Sequence, residues 1–127
     1  MKEIYENKLF TKYPTIFPNG RKVNPRESLL YFGCECESGW FRLIDNLCKQ
    51  LVKASPNVVA DQVKEKFGGL RFYVHGCTAK GNKLIEVAEH KSFRICELCG
   101  KRGKLYYQGG WYLVRCAGCK KAIVKEQ

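Results

Sequence analysis

The sequence predicts an α+β fold: a small antiparallel sheet packed with two helices, then a separate cysteine-bounded module at the C-terminal end. Three observations predict it. Apolar residues recur at helical spacing over residues 39–54. The stretch VKEKFGGLRFYV, residues 63–74, has the pattern of a hairpin. Two CxxC pairs, Cys96/Cys99 and Cys116/Cys119, stand near the end of the chain with sixteen residues between them.

Taken in order, residues 1–33 are rich in aromatics and turn formers (Pro14, Pro18, Asn19-Gly20, Pro25). They predict irregular chain with short extended pieces, wrapped over a core. SLLYFG, residues 28–33, has the composition of a short strand. Ser38 is placed to cap a helix from Gly39 to Ala54, and Pro56 prevents its extension. Trp40, Leu43, Ile44, Leu47, Leu51 and Val52 fall on one side of that helix, which makes it a core helix.

The hairpin follows, extended backwards through Val58 and Val59. With Gly68-Gly69 as a two-residue turn, Phe67 faces Leu70, Lys66 faces Arg71, and Glu65 faces Phe72. Strand alternation then gathers Val63, Phe67, Leu70, Phe72 and Val74 on one face, with Glu65 pairing a basic side chain at the rim. Lys64, Lys66, Arg71 and Tyr73 share the other face. A loop over residues 76–82 leads to a second helix, Asn82 to Phe93, with a modest apolar face. The chain therefore divides into an α+β domain over 1–92 and a module over 93–127, with a core the two can share.

The two CxxC pairs are the strongest chemical signal. Two residues between thiolates let both sulfurs enter one tetrahedron, and backbone amides of the turn can donate to them. Between the pairs, KLYYQGGWYLVR reads as strand, glycine turn, strand, which returns the second pair to the first. This is the pattern of a zinc ribbon with Cys96, Cys99, Cys116 and Cys119 as ligands of one structural Zn²⁺. Four thiolates close the coordination shell, so no catalytic position is left open.

The chain has 127 residues and a formal charge of +11, from 23 Lys and Arg against 12 Asp and Glu. Four thiolates and one Zn²⁺ bring that to +9. From Arg94 onward eight residues are basic and two acidic. Such a balance predicts an anionic partner, nucleic acid or an acidic protein surface rather than a membrane. The candidate contacts are Lys64, Lys66, Arg71, Tyr73, Arg94, Lys101, Arg102, Lys104, Arg115, Lys120 and Lys121. The N-terminus lacks the apolar run of a signal peptide, and no run of eighteen apolar residues occurs. The expected compartment is a reducing cytoplasm, where eight cysteines serve as ligands or buried thiols rather than disulfides. Cys34, Cys36, Cys48 and Cys77 with His75 offer a second metal set, or are buried thiols. No nucleophile, base and acid stand at motif spacing, so an enzyme is not expected.

ECESGWFRLIDNLC, QVKEKFGGLRFYV, and ICELCG with GWYLVRCAGC resemble, in that order, a family of short uncharacterised proteins from tailed bacteriophages and bacteria. The resemblance covers about residues 34–119. It implies an N-terminal α+β part with a GW-led helix and an EKFGGLRFY hairpin, joined to a zinc-ribbon-like end, and a phage or prophage origin in a bacterial host. Cys34 departs from it, since family members often carry a phenylalanine-like residue there. No activity is implied. Three functions follow from residues and resemblance together: a nucleic-acid-binding module, a regulator or inhibitor that binds a host enzyme, polymerase or defence protein, and, with only scattered carboxylates in its favour, an enzyme.

Overall fold

The structure, a computed structural model, describes residues 1–120. Helix α2 (Phe41–Ala54) is the one the apolar spacing predicts. Leu43, Ile44, Leu47, Cys48 and Leu51 are buried along one side. Trp40, which closes a short 3-10 turn over Ser38–Trp40, is fully buried ahead of them. Each large apolar side chain so placed contributes roughly 1.5–3 kcal/mol. Ser38 does not cap the helix; its hydroxyl accepts from the Lys2 amide instead.

The N-terminal segment is more ordered than its composition suggests. Glu3–Lys12 form a helix, α1, of which Glu6 and Leu9 are buried. With so narrow a buried stripe, periodicity gives no signal for it. Acids in its first turn and Lys12 in its last suit the helix dipole. The Glu6 carboxylate accepts from the Cys34 amide. Ile16, Phe17 and Leu30 complete this side of the core.

SLLYFG is not a strand. Leu29–Phe32 form a 3-10 turn opened by the Ser28 hydroxyl, which accepts from the Leu30 amide. The strand starts later, as β1 (Cys34–Glu35), and runs parallel to β2 (Val59–Lys66), Cys34 opposite Val63. The sheet is therefore mixed, in the order β1-β2-β3, with β3 spanning Gly69–His75.

The hairpin register also differs from the expected one. Glu65 faces Leu70, Lys64 faces Arg71, and Val63 faces Phe72. The turn is Phe67-Gly68, both at positive φ, and not Gly68-Gly69. The reason is steric: a Cβ on Gly69 would meet the Phe93 ring at 2.3 Å, so this glycine serves close packing. Gly68 and the strained Phe67 are left to make the turn. Glu65 closes it by accepting from the Gly68 amide at 2.6 Å rather than pairing a rim cation. Moving the turn by one residue changes every partner yet preserves which strand residues share a face. Lys66 thus escapes Arg71, and Lys64 faces it instead.

Helix α3 spans Ala79–Ser92, three residues earlier than expected at its start, because Thr78 caps it by accepting from Gly81. It lies along the free edge of β3. Ser92 accepts from the Leu70 amide and Glu89 from the Phe72 amide, satisfying donors that an open edge would leave exposed.

Candidate metal centre

Beyond α3 the chain forms a second, two-stranded sheet: β4 (Lys104–Gln108) and β5 (Trp111–Arg115), joined through Gly109 and Gly110. Both glycines have positive φ, as a tight hairpin turn of this length requires. The sheet sets the two CxxC segments side by side. The Cys96 amide donates to Lys101 O at 2.7 Å, bending the first segment back on itself. The Glu97 amide donates to Val114 O at 3.1 Å and ties that segment to the end of β5. Cys116 follows at once.

The result is a cluster of four sulfurs, from Cys96, Cys99, Cys116 and Cys119, all within 4.8 Å of one another. Cys99 Sγ and Cys116 Sγ are 3.5 Å apart. A tetrahedral ion with metal–sulfur bonds of about 2.3 Å places its sulfurs about 3.8 Å apart, so the cluster fits one such ion with small adjustments. The thiols are already biased. The Cys119 amide donates to the Cys116 sulfur and brings that thiol down to about 6. Burial works against ionisation of Cys96, but amides of Cys116, Cys99 and Leu98 outweigh it and lower this thiol too. Burial and the neighbouring thiols hold Cys119 up at about 12. A divalent cation would displace the protons that remain.

The cluster is fastened to the α+β part by three bonds. The Gly39 amide donates to Glu97 O at 2.7 Å, the Glu37 amide to the Glu97 carboxylate at 2.9 Å, and Trp40 Nε1 to Ile95 O at 2.9 Å. Gly39 is tightly constrained, since a Cβ there would lie 2.2 Å from Cys96 O. The GW pair that opens α2 is thus also the grip on the first CxxC segment. Its spacing in sequence gives no hint of that second role.

Of the expected contact residues, Arg94, Lys101, Arg102, Lys104 and Lys120 are exposed around the cluster. Lys66 and Tyr73 are exposed on the outer face of β2 and β3, with Lys64 and Arg71 half-buried beside them. Arg115 does not belong with them. It is buried, its guanidinium donating to Val114 O and lying 3.8 Å from the buried Glu97 carboxylate. Alternation alone would set it on the face of the exposed Trp111; the approach of the end of β5 to Glu97 buries it instead. Lys121 lies outside the described residues.

The other cysteines go elsewhere. Cys34, Cys36 and Cys48 are core residues whose thiols burial pushes well up. Cys77 is half-buried near the start of α3, and exposed His75 is bound to Asp61 at 2.7 Å. What sequence reading missed is the exposed aromatic set Phe67, Tyr107 and Tyr112. The alternation of KLYYQ against WYLVR is the signal that places the two tyrosines on one face.

Compared with protein-family models, curated proteins and solved structures, the chain matches none of them. Function must therefore be argued from the site. Among the described residues no helix is long and apolar enough to cross a membrane.

Proposed function

We propose that this is a non-catalytic zinc-binding protein whose C-terminal zinc ribbon and basic hairpin face bind nucleic acid or a complex that handles it. The observation that carries this reading is the sign of the charge around the sulfur cluster. Between Arg94 and Lys120 the one acid is Glu97, and it is buried, while five cations are exposed. Among the described residues of the module the exposed charges are therefore all positive, even though an ion held by four thiolates would leave a net −2 within it. Four thiolates at tetrahedral spacing, with no open position, suit structural Zn²⁺; the same donor set also takes iron, and the metal content distinguishes the two. A phage-type protein acting in a bacterial cytoplasm is consistent with this reading and with the motif resemblance.

Two measurements test it. Elemental analysis of purified protein is expected to find one zinc per chain; folded protein without metal would overturn the zinc assignment. Binding to random DNA and RNA is expected to fall steeply between roughly 50 and 200 mM salt, as phosphate contacts release counterions. If binding is absent at low salt, and a bacterial partner is captured that survives nuclease, the protein is instead a regulator of a host protein.

A further inference from the structure

The exposed cations suit a phosphate backbone but leave the exposed aromatics unexplained. Phe67 is 65% exposed, Tyr107 66% and Tyr112 42%. They are not scattered. Phe67 meets Tyr112 edge-on, with centroids 6.3 Å apart, and Tyr112 meets Tyr107 at 4.8 Å. Tyr107 and Tyr112 are paired across β4 and β5 and so lie on one face of that sheet. The row runs from the tip of the first hairpin onto the second sheet. Leu105, on the same face, contacts the tip at Gly68.

Phe67 is the informative member. It sits in a two-residue turn with φ of 53°, where glycine or asparagine is at ease and a bulky side chain is strained. The chain thus accepts backbone strain to hold an apolar ring at the surface. Lys64 and Lys66 lead up to it along one side of β2, and Lys66 Nζ lies 5.7 Å from the ring centroid. A file of cations ending at a row of open rings suits a strand that offers phosphates and unpaired bases together.

We propose that Phe67, Tyr112 and Tyr107 form a stacking platform for single-stranded nucleic acid, with Lys64 and Lys66 holding its backbone. This rests on the nucleic-acid reading above and specifies the substrate: single strands in preference to duplex. Duplex stacks its bases inward and has no free base face to offer these rings.

The test is fluorescence anisotropy with a labelled 15-nucleotide oligo(dT), oligo(U), and a 15-base-pair duplex, using intact zinc-loaded protein. The variants are Phe67→Asn, Tyr107→Ser and, as control, Trp111→Ser. Phe67→Asn relieves the turn but removes the ring's contact with Tyr112, so its melting temperature is measured alongside, and an unchanged value separates lost stacking from a weakened fold. Trp111 is 71% exposed but alternates onto the opposite face of β5. Loss of one stacking ring is expected to weaken single-strand binding roughly 5- to 150-fold. Duplex binding and the Trp111→Ser protein should be unchanged. If Phe67→Asn and Tyr107→Ser bind single strands as the parent does, the platform is wrong while the nucleic-acid reading stands. The platform is equally wrong if these variants lose duplex binding by the same factor. If the parent binds neither form at low salt, the nucleic-acid reading fails, and the aromatic row belongs to a protein partner.

Discussion

The two parts of this molecule are held together by different chemistry. The α+β part gathers Leu9, Ile16, Leu30, Trp40, Ile44, Leu51, Val63 and Leu70, all nearly inaccessible to water, into one core. The C-terminal module buries Cys96, Val114 and Cys116, and leaves Leu98, Leu105, Tyr107, Trp111 and Tyr112 open. Apolar burial on that scale cannot offset the conformational entropy of ordering some thirty residues. On the zinc proposal, the ion held by the four sulfurs makes up the difference. A metal lets a segment keep its aromatic residues on the surface, where they can bind, without a core that would consume them.

The largest expected effect breaks the metal half of this contrast. Cys99→Ser, or a strong chelator, removes an interaction on the order of 10 kcal/mol in modules of this kind. Amides from Cys96 to Cys116 should lose their protection from hydrogen exchange, while those of α2 remain protected. Retained protection in the module after complete metal removal would show that packing alone sustains it.

The next breaks the apolar half. Leu47 is 2% exposed within the core, and Leu47→Ala should cost about 2–5 kcal/mol in chemical denaturation. Lys101→Ala, on the exposed bend of the first CxxC segment, should change stability by less than about 0.5 kcal/mol. Equal small losses from the two would mean that α2 is not the core helix.

This contrast also decides what could be read in advance. α2 was legible because its stripe is wide and its burial one-sided. The sulfur cluster was legible because ligand spacing is a local constraint, fixed by the reach of two thiolates in one turn. Where the deciding contact is distant in sequence, local pattern fails. β1 pairs with Val63 and Lys64, nearly thirty residues on. α1 is held by the buried Leu9 and by the bond from its Glu6 to Cys34, neither of which makes a periodic stripe. Nothing in EKFGGLRF tells whether Phe67 or Gly69 joins Gly68 in the turn until Phe93 is known to lie against Gly69. Arg115 reads as a surface cation until Glu97 is found beside it. In each case a long-range contact overrides a sound local preference.

The smallest expected effect lies at the join, where the two chemistries meet. Trp40 belongs to the apolar core by its ring, and to the metal module by its indole N–H, which donates to Ile95 O next to Cys96. Trp40→Phe keeps an aromatic ring in the core but leaves that carbonyl without its donor, at a cost of about 1–3 kcal/mol. If the parts were independent, the loss would show only as a lower melting temperature. The grip of Gly39, Glu37 and Trp40 on residues 95 and 97 argues otherwise. Releasing one of its three bonds lets the first CxxC segment relax, and metal affinity should fall with it. Competition against a colorimetric chelator measures this: a loss of about 1.4 kcal/mol at the site is a tenfold shift in the competition curve. Leu47→Ala supplies the comparison, since Leu47 makes none of these three bonds and should lower the melting temperature without moving the curve while the protein stays folded. If Trp40→Phe behaves as Leu47→Ala does, the join is only contact, and the two parts fold and bind metal separately. A shifted curve for Trp40→Phe alone would make the tryptophan the point where the core stabilises the metal site.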